Sequence, residues 1–376
     1  MEMFVEFKSG DASDPFHSKD LVPFEKTFHT TCATRGQIVL YSTRLQTYQF
    51  RTCAFSVGIF GSVARLFRWD RAGAIVSEPI PYLENGNHDL AEFLCRFDLM
   101  SRVQRGWDPT VFNATVKEAE EFDRLLRAVG SRGGEAVLKS LLDTVGHQYY
   151  YPRRRIEIPT GEDGDGRVVS YIVGRSIAHA RSPTGRATRG FVAMSKETGN
   201  LVFLKDSWRP NIEGMMGEAY WFGKLKGARN ISAFVQGGDV RSVVETRGEL
   251  KTSRIPQKTL TNSYSEDHNG LRKMVGYTHY RTVQSELYVP LDMFKDSKHL
   301  TRIMRDIING TILFSLVHFA TLNLPQRCTI YIQSRSCIET SAPRTSCSLW
   351  MVMDASSTLT WPGPEGMSVH AGLFAR

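Results

Sequence analysis

The spacing of apolar and polar residues predicts short strands and helices in the amino-terminal half of the chain. Residues 34–56 have a pattern typical of a helix followed by a strand. Two apolar runs, at residues 53–60 and 63–67, precede a turn at residues 70–73, and together they predict a hairpin or a meander. This half is therefore predicted to form an α/β domain over residues 1–150.

An amphipathic helix is predicted to begin at Thr115. Thr115 and Glu118 have the spacing of a capping box, in which each side chain bonds the backbone N–H of the other residue. Gly130 is predicted to end this helix, and a second amphipathic helix is predicted over residues 135–143. The apolar positions of the first helix fall on one face: Ala119, Phe122, Leu126 and Val129.

Length and composition predict two domains and a tail. A chain of 376 residues with 41% apolar residues exceeds the roughly 250 to 300 residues at which single cores stop growing. Residues 152–167 are charged and rich in glycine, which indicates a linker or an exposed hairpin. We therefore expect a first domain at 1–150, a linker at 151–167, a second domain at 168–310 and an aberrant or disordered tail at 311–376.

Charge and cysteine content limit the partners and the compartment. The formal charge of +8 favours anionic partners, either nucleotides or nucleic acid. Six cysteines without a Cys-x-x-Cys pair indicate a reducing compartment, the cytoplasm or the nucleus. Glu2 and Glu6 lie where a signal peptide would be basic. The apolar run at 312–324 falls short of the roughly 20 residues that span a bilayer, so no membrane association is expected.

Residues 171–208 carry candidate phosphate-binding chemistry. Their pattern predicts a strand, a glycine-bearing turn, a second strand, and a third strand that ends at Lys205. Backbone N–H groups in such a turn can lie over phosphates, and a lysine on the next strand but one pairs with them. Gly185, Ala187 and Gly190 give a loose form of Gly-x-Gly-x-x-Gly. An ordinary hairpin explains this spacing equally well, so the motif alone does not decide the function.

The following segments have the order expected of a protein kinase. Residues 215–235 predict a helix that carries Glu218, then a turn and a strand. In an active kinase, a glutamate on that helix pairs with the strand lysine and holds it against the phosphates. Farther on, a strand and a short linker precede a helix predicted over about 298–309. Strand, hinge and long helix form the passage from the small lobe to the large lobe.

Most of the chain resembles the fungal-type protein kinase-like family. The second half carries the segments GRATRG, VFLKDSWR and RIMRDIING, and the most specific block of the first half consists of Arg65, Arg68, Trp69, Asp70 and Gly73. The resemblance implies an α+β fold with a protein-kinase-like small lobe and the start of a large lobe, preceded by the α/β amino-terminal domain. It also implies ATP-dependent phosphotransfer to Ser or Thr of a protein substrate or partner.

The resemblance also implies a site for ATP with Mg²⁺. Lys205 and Glu218 are expected to pair, and the residues expected to face the phosphates are Gly185, Arg186, Ala187, Thr188 and Gly190. Where the family reads Gly-Arg-Gly-Thr, this chain has alanine at position 187. A Cβ therefore lies where the backbone approaches phosphate, which is expected to weaken nucleotide binding.

The catalytic loop is missing where the resemblance places it. Family members continue with His-Arg-Asp-Ile-Ser, then an Asn, and later a metal-binding Asp; these residues accept the substrate proton and hold magnesium. Here His318 is followed by Phe319 and Ala320, and no later segment has the required neighbours. The chain as written is therefore expected to be catalytically inactive, and no residue is assigned a catalytic or metal-binding role.

Residues 337–348 contain a candidate for this loop, one base out of frame. Written in allowed codons and read one base earlier, they spell Leu-His-Arg-Asp-Ile-Ser-Ala-Glu-Asn-Ile-Leu-Leu. Residues 349–362 in the same frame allow a strand that ends in Asp-Leu-Ala. Residues 326–376 contain no lysine and many Ser and Thr, a composition typical of out-of-frame translation and also of a disordered tail.

Two functions of other classes remain open. Glu6 and Lys8 alternate on a predicted strand as in the Glu-x-Lys core of restriction-nuclease-like folds, which hold a metal and act on nucleic acid. A surface charge pair explains this spacing more simply. The chain would alternatively be a non-catalytic interaction module with Trp69 on its contact surface, although core packing or a cation–π contact explains Trp69 equally well.

The frame hypothesis predicts the transcript itself. We expect the codons of residues 337–348 to spell the His-Arg-Asp loop when read in the shifted frame, because the shifted text has the loop's spacing. Sequencing the transcript checks this, and codons that cannot spell the motif contradict it.

Overall fold

The computed structural model describes most of the chain up to residue 322. Residues Met1–Leu287 belong to one compact unit, which also includes the later part of the final helix, and the first turns of that helix belong to a second unit. The ranges described are 1–18, 24–132, 135–159, 168–177, 180–226, 230–246, 249–264, 274–287 and 294–322.

The amino-terminal segment forms a four-stranded sheet with one long helix. The first strand pairs in parallel with the second, and the helix connects them; the other neighbours are antiparallel, in the order β1-β2-β3-β4. The predicted helix, strand and meander are thus confirmed. The elements are β1 (Phe4–Lys8), a short 3₁₀ helix (Asp11–Ser13), α1 (His29–Tyr48), β2 (Ala54–Phe60), β3 (Val63–Asp70) and β4 (Gly73–Val76).

Aromatic side chains fill the core between this sheet and α1. Phe67 stacks on Trp69 with ring centroids 5.7 Å apart, and the indole N–H of Trp69 donates to the Ser56 hydroxyl. Both rings are buried together with Ile38 and Leu45 of α1. Trp69 is therefore a core residue, and the prediction that it lies on a contact surface is wrong; core packing, the other reading, is confirmed.

Three helices and a short strand follow. The capping box is confirmed, because Thr115 N–H donates to the Glu118 carboxylate at 2.9 Å and Glu118 N–H donates to the Thr115 hydroxyl at 3.3 Å. Gly130 does not end its helix, which runs two residues further, and Val129 is partly exposed. The elements are α2 (Asp89–Leu99), β5 (Val111–Asn113), α3 (Val116–Arg132) and α4 (Glu135–Val145).

The largest sheet has seven antiparallel strands in the order β10-β13-β9-β8-β7-β6-β5. A separate hairpin, a short helix and a 3₁₀ helix complete this region. The elements are β6 (Arg154–Pro159), β7 (Val168–Val173), β8 (Arg189–Ser195), β9 (Leu201–Pro210), α5 (Glu218–Lys224), β10 (Phe234–Asp239), β11 (Arg241–Thr246), β12 (Glu249–Pro256), the 3₁₀ helix (Thr261–Tyr264) and β13 (Tyr277–Gln284). The predicted strand that carries Lys205 extends to Pro210.

The two faces of this sheet pack against different parts of the chain. Alternate side chains of a strand point to opposite faces. One face packs Ile172, Val192 and Met194 against Phe122 and Leu126 of α3. On the other face, side chains of the sheet pack mainly against one another, and Phe50, which follows α1, stacks on Phe191. The core on that side consists of Ile156, Ile158, Val169, Tyr171, Val173, Phe191, Ala193, Val202, Leu204 and Val283, with Phe50 and Val111 packed against it.

Contacts cross the predicted domain boundary. β5 pairs with β6, and α3 and α4 pack on the seven-stranded sheet. The pairing of β6 with β7 agrees with a hairpin in residues 152–167, but the prediction that this segment is a linker or exposed is wrong for β6, because Ile156 and Ile158 are fully buried in the core. Residues 160–167 lie outside the described residues. The structure packs the segments on both sides of the predicted boundary against each other. The division into domains at 1–150 and 168–310 therefore stays a prediction.

The last described element is α6 (Ser297–Leu322). It confirms the predicted helix and continues past residue 309. In the parts of the chain that the structure describes, no helix combines the length and apolarity needed to cross a bilayer. The predicted tail lies outside the described residues from 323 onward, and the shifted-frame segments at 337–348 and 349–362 fall there.

Candidate functional site

Lys205 and Glu218 form an ion pair. The Lys205 ammonium lies 2.5 Å from a carboxylate oxygen of Glu218, and both side chains are partly exposed. Lys205 is in the middle of β9, between Gly190 of β8 and Thr282 of β13. Glu218 is the first residue of α5. The structure thus brings together the two residues that the sequence predicts to pair, and their role in binding a nucleotide stays a prediction.

Tyr280 positions α5 so that Glu218 reaches Lys205. The hydroxyl of Tyr280, a buried residue of β13, accepts a hydrogen bond from the Ala219 backbone N–H at 3.0 Å. Gly217 precedes the helix, and a Cβ at this position would lie 2.8 Å from the Tyr280 hydroxyl oxygen. Only glycine therefore lets the helix start this close to the sheet. Without that approach, Glu218 would lie farther from β9.

The predicted phosphate-facing turn lies between β7 and β8. Gly185 has φ +87°, a conformation that favours glycine, and Ala187 has φ +43°, which strains a residue with a side chain. The guanidinium of Arg186 lies 3.3 Å from Glu218, so the turn and the ion pair share one carboxylate. Contrary to the prediction, Gly190 is not in the turn. It lies in β8, where a Cβ would approach the Phe203 ring to 2.9 Å.

Two backbone N–H groups of the predicted phosphate-facing turn form no hydrogen bond with a described residue. Among the described residues, the N–H groups of Ala187 and Thr188 have no acceptor. The space beside Gly185 is open, because none of the described residues lies within 4 Å of a Cβ built there. The Gly185 N–H itself is occupied, since it donates to the Arg71 carbonyl at 2.8 Å. The Gly185 N–H is therefore not available to a ligand, and phosphate binding by this turn stays a prediction.

The β3–β4 turn of the amino-terminal segment supports this phosphate-facing turn. Arg71 is fully buried, and its guanidinium donates to the Pro183 carbonyl at 3.1 Å. Its carbonyl accepts the Gly185 N–H, so Arg71 contacts the turn at two points. Burial lowers the pKa of Arg71 to about 9, and the neighbouring charge of Arg189 adds to the shift. Sequence reasoning assigned no role to Arg71.

Asp70 fixes the other side of the same β3–β4 turn. Its carboxylate accepts hydrogen bonds from the backbone N–H groups of Leu260 and Thr261 at 2.8 and 2.9 Å, and from Ala72 within the turn. Gly73 packs closely against Met274. The sequence block that carries the family resemblance is thus the part of the amino-terminal segment that docks on the region around β13.

Asp206 is the centre of a buried charge cluster on the opposite face of β9 from Lys205. Its carboxylate lies 2.8 Å from the Arg189 guanidinium and 2.5 Å from the His279 ring nitrogen. The Arg281 guanidinium is 3.6 Å away. Burial alone would raise the pKa of Asp206, but Arg189, His279 and Arg281 outweigh burial and hold that pKa well below 3.8.

Asp108 extends the cluster toward β5. Its carboxylate lies 2.5 Å from Arg281 and accepts hydrogen bonds from Gln257 and Thr110. Burial raises the pKa of Asp108, yet Arg281 and the other partners outweigh burial and leave that pKa below 3.8. The neighbouring Arg189 also donates to the Thr47 carbonyl at the end of α1. Arg281 and Arg189, two of the partners of Asp206, are thus each held by a second contact.

The alternative nuclease chemistry gains no support. Glu6 and Lys8 pair with each other at 2.8 Å on β1, and Lys8 also donates to Gln37 of α1. Within the described residues, no group of three or more His, Cys, Asp or Glu side chains is placed to hold a metal ion. The surface charge pair is therefore sufficient to explain the Glu-x-Lys spacing.

The geometry defines a class of protein. An antiparallel sheet in which a lysine of the third strand pairs with a glutamate of the next helix is the arrangement of a protein kinase small lobe; here the strands run in the order β10-β13-β9-β8-β7. Residues 29–320 match the family of fungal protein kinases. The chain belongs to this family, as its sequence resemblance predicted. No curated protein and no solved structure matches the chain.

The cluster predicts a large effect of Asp206→Asn. Without the carboxylate charge, Arg189 remains buried without a counter-charge, while Arg281 keeps Asp108, so the free energy of unfolding is expected to fall by about 3–5 kcal/mol. The matched control is Asp239→Asn, which breaks the half-exposed pair with Arg209 and should cost about 1 kcal/mol or less. Urea unfolding at neutral pH measures both changes. Equal effects of the two substitutions would contradict the prediction.

The lowered pKa of Asp206 predicts that the folded state loses stability in acid. The folded state holds Asp206 ionised, whereas the unfolded chain protonates it near its ordinary pKa of 3.8. The stabilisation is therefore complete above that pH and is lost as the pH falls below it. We expect the slope of unfolding free energy against pH below about 4 to be smaller in Asp206→Asn than in the unsubstituted protein. Identical slopes would show that Asp206 does not cause the acid sensitivity.

Proposed function

We propose that this fungal protein kinase family member binds the phosphates of a nucleoside triphosphate, ATP, at Lys205. The observation that supports the proposal is the Lys205–Glu218 ion pair beside the turn between β7 and β8. Glu218 orients the Lys205 ammonium, and the free N–H groups of Ala187 and Thr188 add donors for phosphate oxygens. Bound Mg²⁺ would neutralise part of the phosphate charge, as in kinases generally.

We further propose that the chain as written transfers no phosphoryl group. Phosphoryl transfer depends on positioning and charge stabilisation, which need a proton-accepting Asp and two magnesium-binding side chains. The amino-acid sequence after residue 310 contains none of these residues within a kinase catalytic motif. The match to the family ends at residue 320. The alternative of a non-catalytic interaction module is compatible with this proposal, because a nucleotide-bound small lobe can still bind a protein partner.

Nucleotide binding is tested with Lys205→Met. The substitution removes the ammonium that would contact phosphate, and loss of a charge-assisted bond predicts an ATP affinity at least about tenfold lower. The control is Lys196→Met, since Lys196 pairs with Glu118 at the opposite end of β8 from Gly190. Titration calorimetry with ATP and Mg²⁺ measures all three proteins. Equal ATP affinity in the two variants, or no binding by the unsubstituted chain, contradicts the proposal.

Phosphoryl transfer is tested on the same proteins. Incubation with Mg²⁺ and labelled ATP is expected to leave the chain and added protein substrates unlabelled. Labelling that disappears in Lys205→Met would show that the chain is an active kinase, and the inactivity proposal would then be wrong.

Ala187→Gly should strengthen nucleotide binding. Ala187 has φ +43°, and a glycine there removes both the strain and the Cβ that lies close to the expected phosphate. We expect higher ATP affinity and a stability gain of up to about 1 kcal/mol. The control is Ala193→Gly, which changes a fully buried position in β8 and should destabilise the fold without improving affinity. Lower ATP affinity in Ala187→Gly would contradict the assignment of this turn.

A further inference from the structure

A small cavity lies where the end of α1, the segment before β5, and strands β5 and β6 meet. Its volume is about 220 Å³, and Arg102, Trp107, Asp108, Asn113 and Arg154 are among the residues that line it. The cavity is separate from the Lys205 site, because none of the residues of that site lines it. Its lining is rich in side-chain N–H donors.

The two arginines of the cavity are not neutralised. In the described part of the chain, neither Arg102 nor Arg154 forms an ion pair with a carboxylate. Arg154 instead donates to the Asn113 side-chain oxygen, which leaves the Asn113 amide group as a further donor. Partial burial lowers the pKa of Arg154, and the charge of Arg102 adds to the shift. Two like charges thus converge on one cavity.

The acidic side chains near the cavity already have other partners. Asp108 is held by Arg281, Thr110 and Gln257. The charge of Arg102 interacts with that of Glu2, but the Glu2 carboxylate already accepts hydrogen bonds from Arg51 at 3.0 Å and from the Trp107 indole at 2.8 Å. Arg102 is exposed and Arg154 is partly buried, so both guanidinium groups are accessible to an anion from outside the chain.

Trp107 holds one of these arginines in place. The Arg102 guanidinium lies 4.3 Å from the centre of the Trp107 ring, and the Arg51 guanidinium lies 4.1 Å from it. Trp107 is itself fixed by its bond to Glu2. Arg102 is thus stacked on a fixed aromatic surface, so less side-chain freedom is lost when it binds a ligand.

We propose that this cavity binds a phosphoryl group, carried either by free phosphate or by a phosphorylated residue of a peptide. A phosphoryl group has about two negative charges near neutral pH, and its oxygens accept several hydrogen bonds. Arg102, Arg154 and the Asn113 amide provide matching donors and two positive charges. Guanidinium groups are the side chains that best match phosphate oxygens. The site is independent of the proposed nucleotide site.

Titration calorimetry with inorganic phosphate tests the proposal on the full chain. The unsubstituted protein and Lys205→Met are both expected to bind phosphate, which separates this site from the nucleotide site. Arg102→Gln and Arg154→Gln should each lower the phosphate affinity by about tenfold or more. Arg127→Gln, a change on an exposed position of α3, is the control and should not alter it. Phosphate affinity that is absent, or unchanged by both substitutions, overturns the proposal.

A peptide pair distinguishes the two sources of the phosphoryl group. A phosphoserine peptide that binds more tightly than phosphate, while its unphosphorylated form does not bind, identifies a phosphorylated residue as the ligand. Phosphate that binds at least as tightly as the peptide identifies the free anion. Both outcomes require the loss of binding in Arg102→Gln and Arg154→Gln, and peptide binding that persists in both variants counts against the site.

Thermal unfolding excludes a merely structural role for Arg102. Added phosphate should raise the unfolding temperature of the unsubstituted protein and of Arg127→Gln, but not that of Arg102→Gln. A lower unfolding temperature together with an unchanged phosphate response would overturn the assignment.

Discussion

The buried carboxylate of Asp206 is the constraint on which the arrangement of the sheet depends. A carboxylate without water is stable only if positive groups surround it. Arg189 comes from β8, and His279 and Arg281 come from β13, so their bonds to Asp206 fix three adjacent strands in one register. The same register places Lys205, the neighbour of Asp206, on the opposite face beside α5.

This arrangement gives the two faces of β9 different tasks. The face with Lys205 carries the ion pair with Glu218, which Arg186 of the turn between β7 and β8 also contacts. The face with Asp206 contacts the amino-terminal segment, because Arg189 donates to the Thr47 carbonyl at the end of α1. Arg71 of the same segment contacts the turn between β7 and β8. The amino-terminal segment is therefore part of the structure that supports the kinase small lobe.

Local features of the fold could be predicted from the sequence because they depend on neighbouring residues. The capping box at Thr115 satisfies N–H groups within its own helix, and the meander of β2, β3 and β4 follows from apolar runs and a turn. The pairing of Lys205 with Glu218 was also predictable, since the order of strand and helix is typical of the kinase small lobe. The end of the helix at Gly130 was predicted wrongly, because packing against α4 overrides the weak helix propensity of glycine.

The sequence by itself determined the start of α3 with its capping box, the meander of β2, β3 and β4, the Lys205–Glu218 pair and the family of the chain. Only the tertiary structure decided that Trp69 is buried, that Arg71 supports the phosphate-facing turn, and that Asp108 joins the charge cluster of β13. The reason is physical. Charged residues far apart in the chain have no periodic pattern, and their burial becomes favourable only when the folded sheet brings opposite charges into contact.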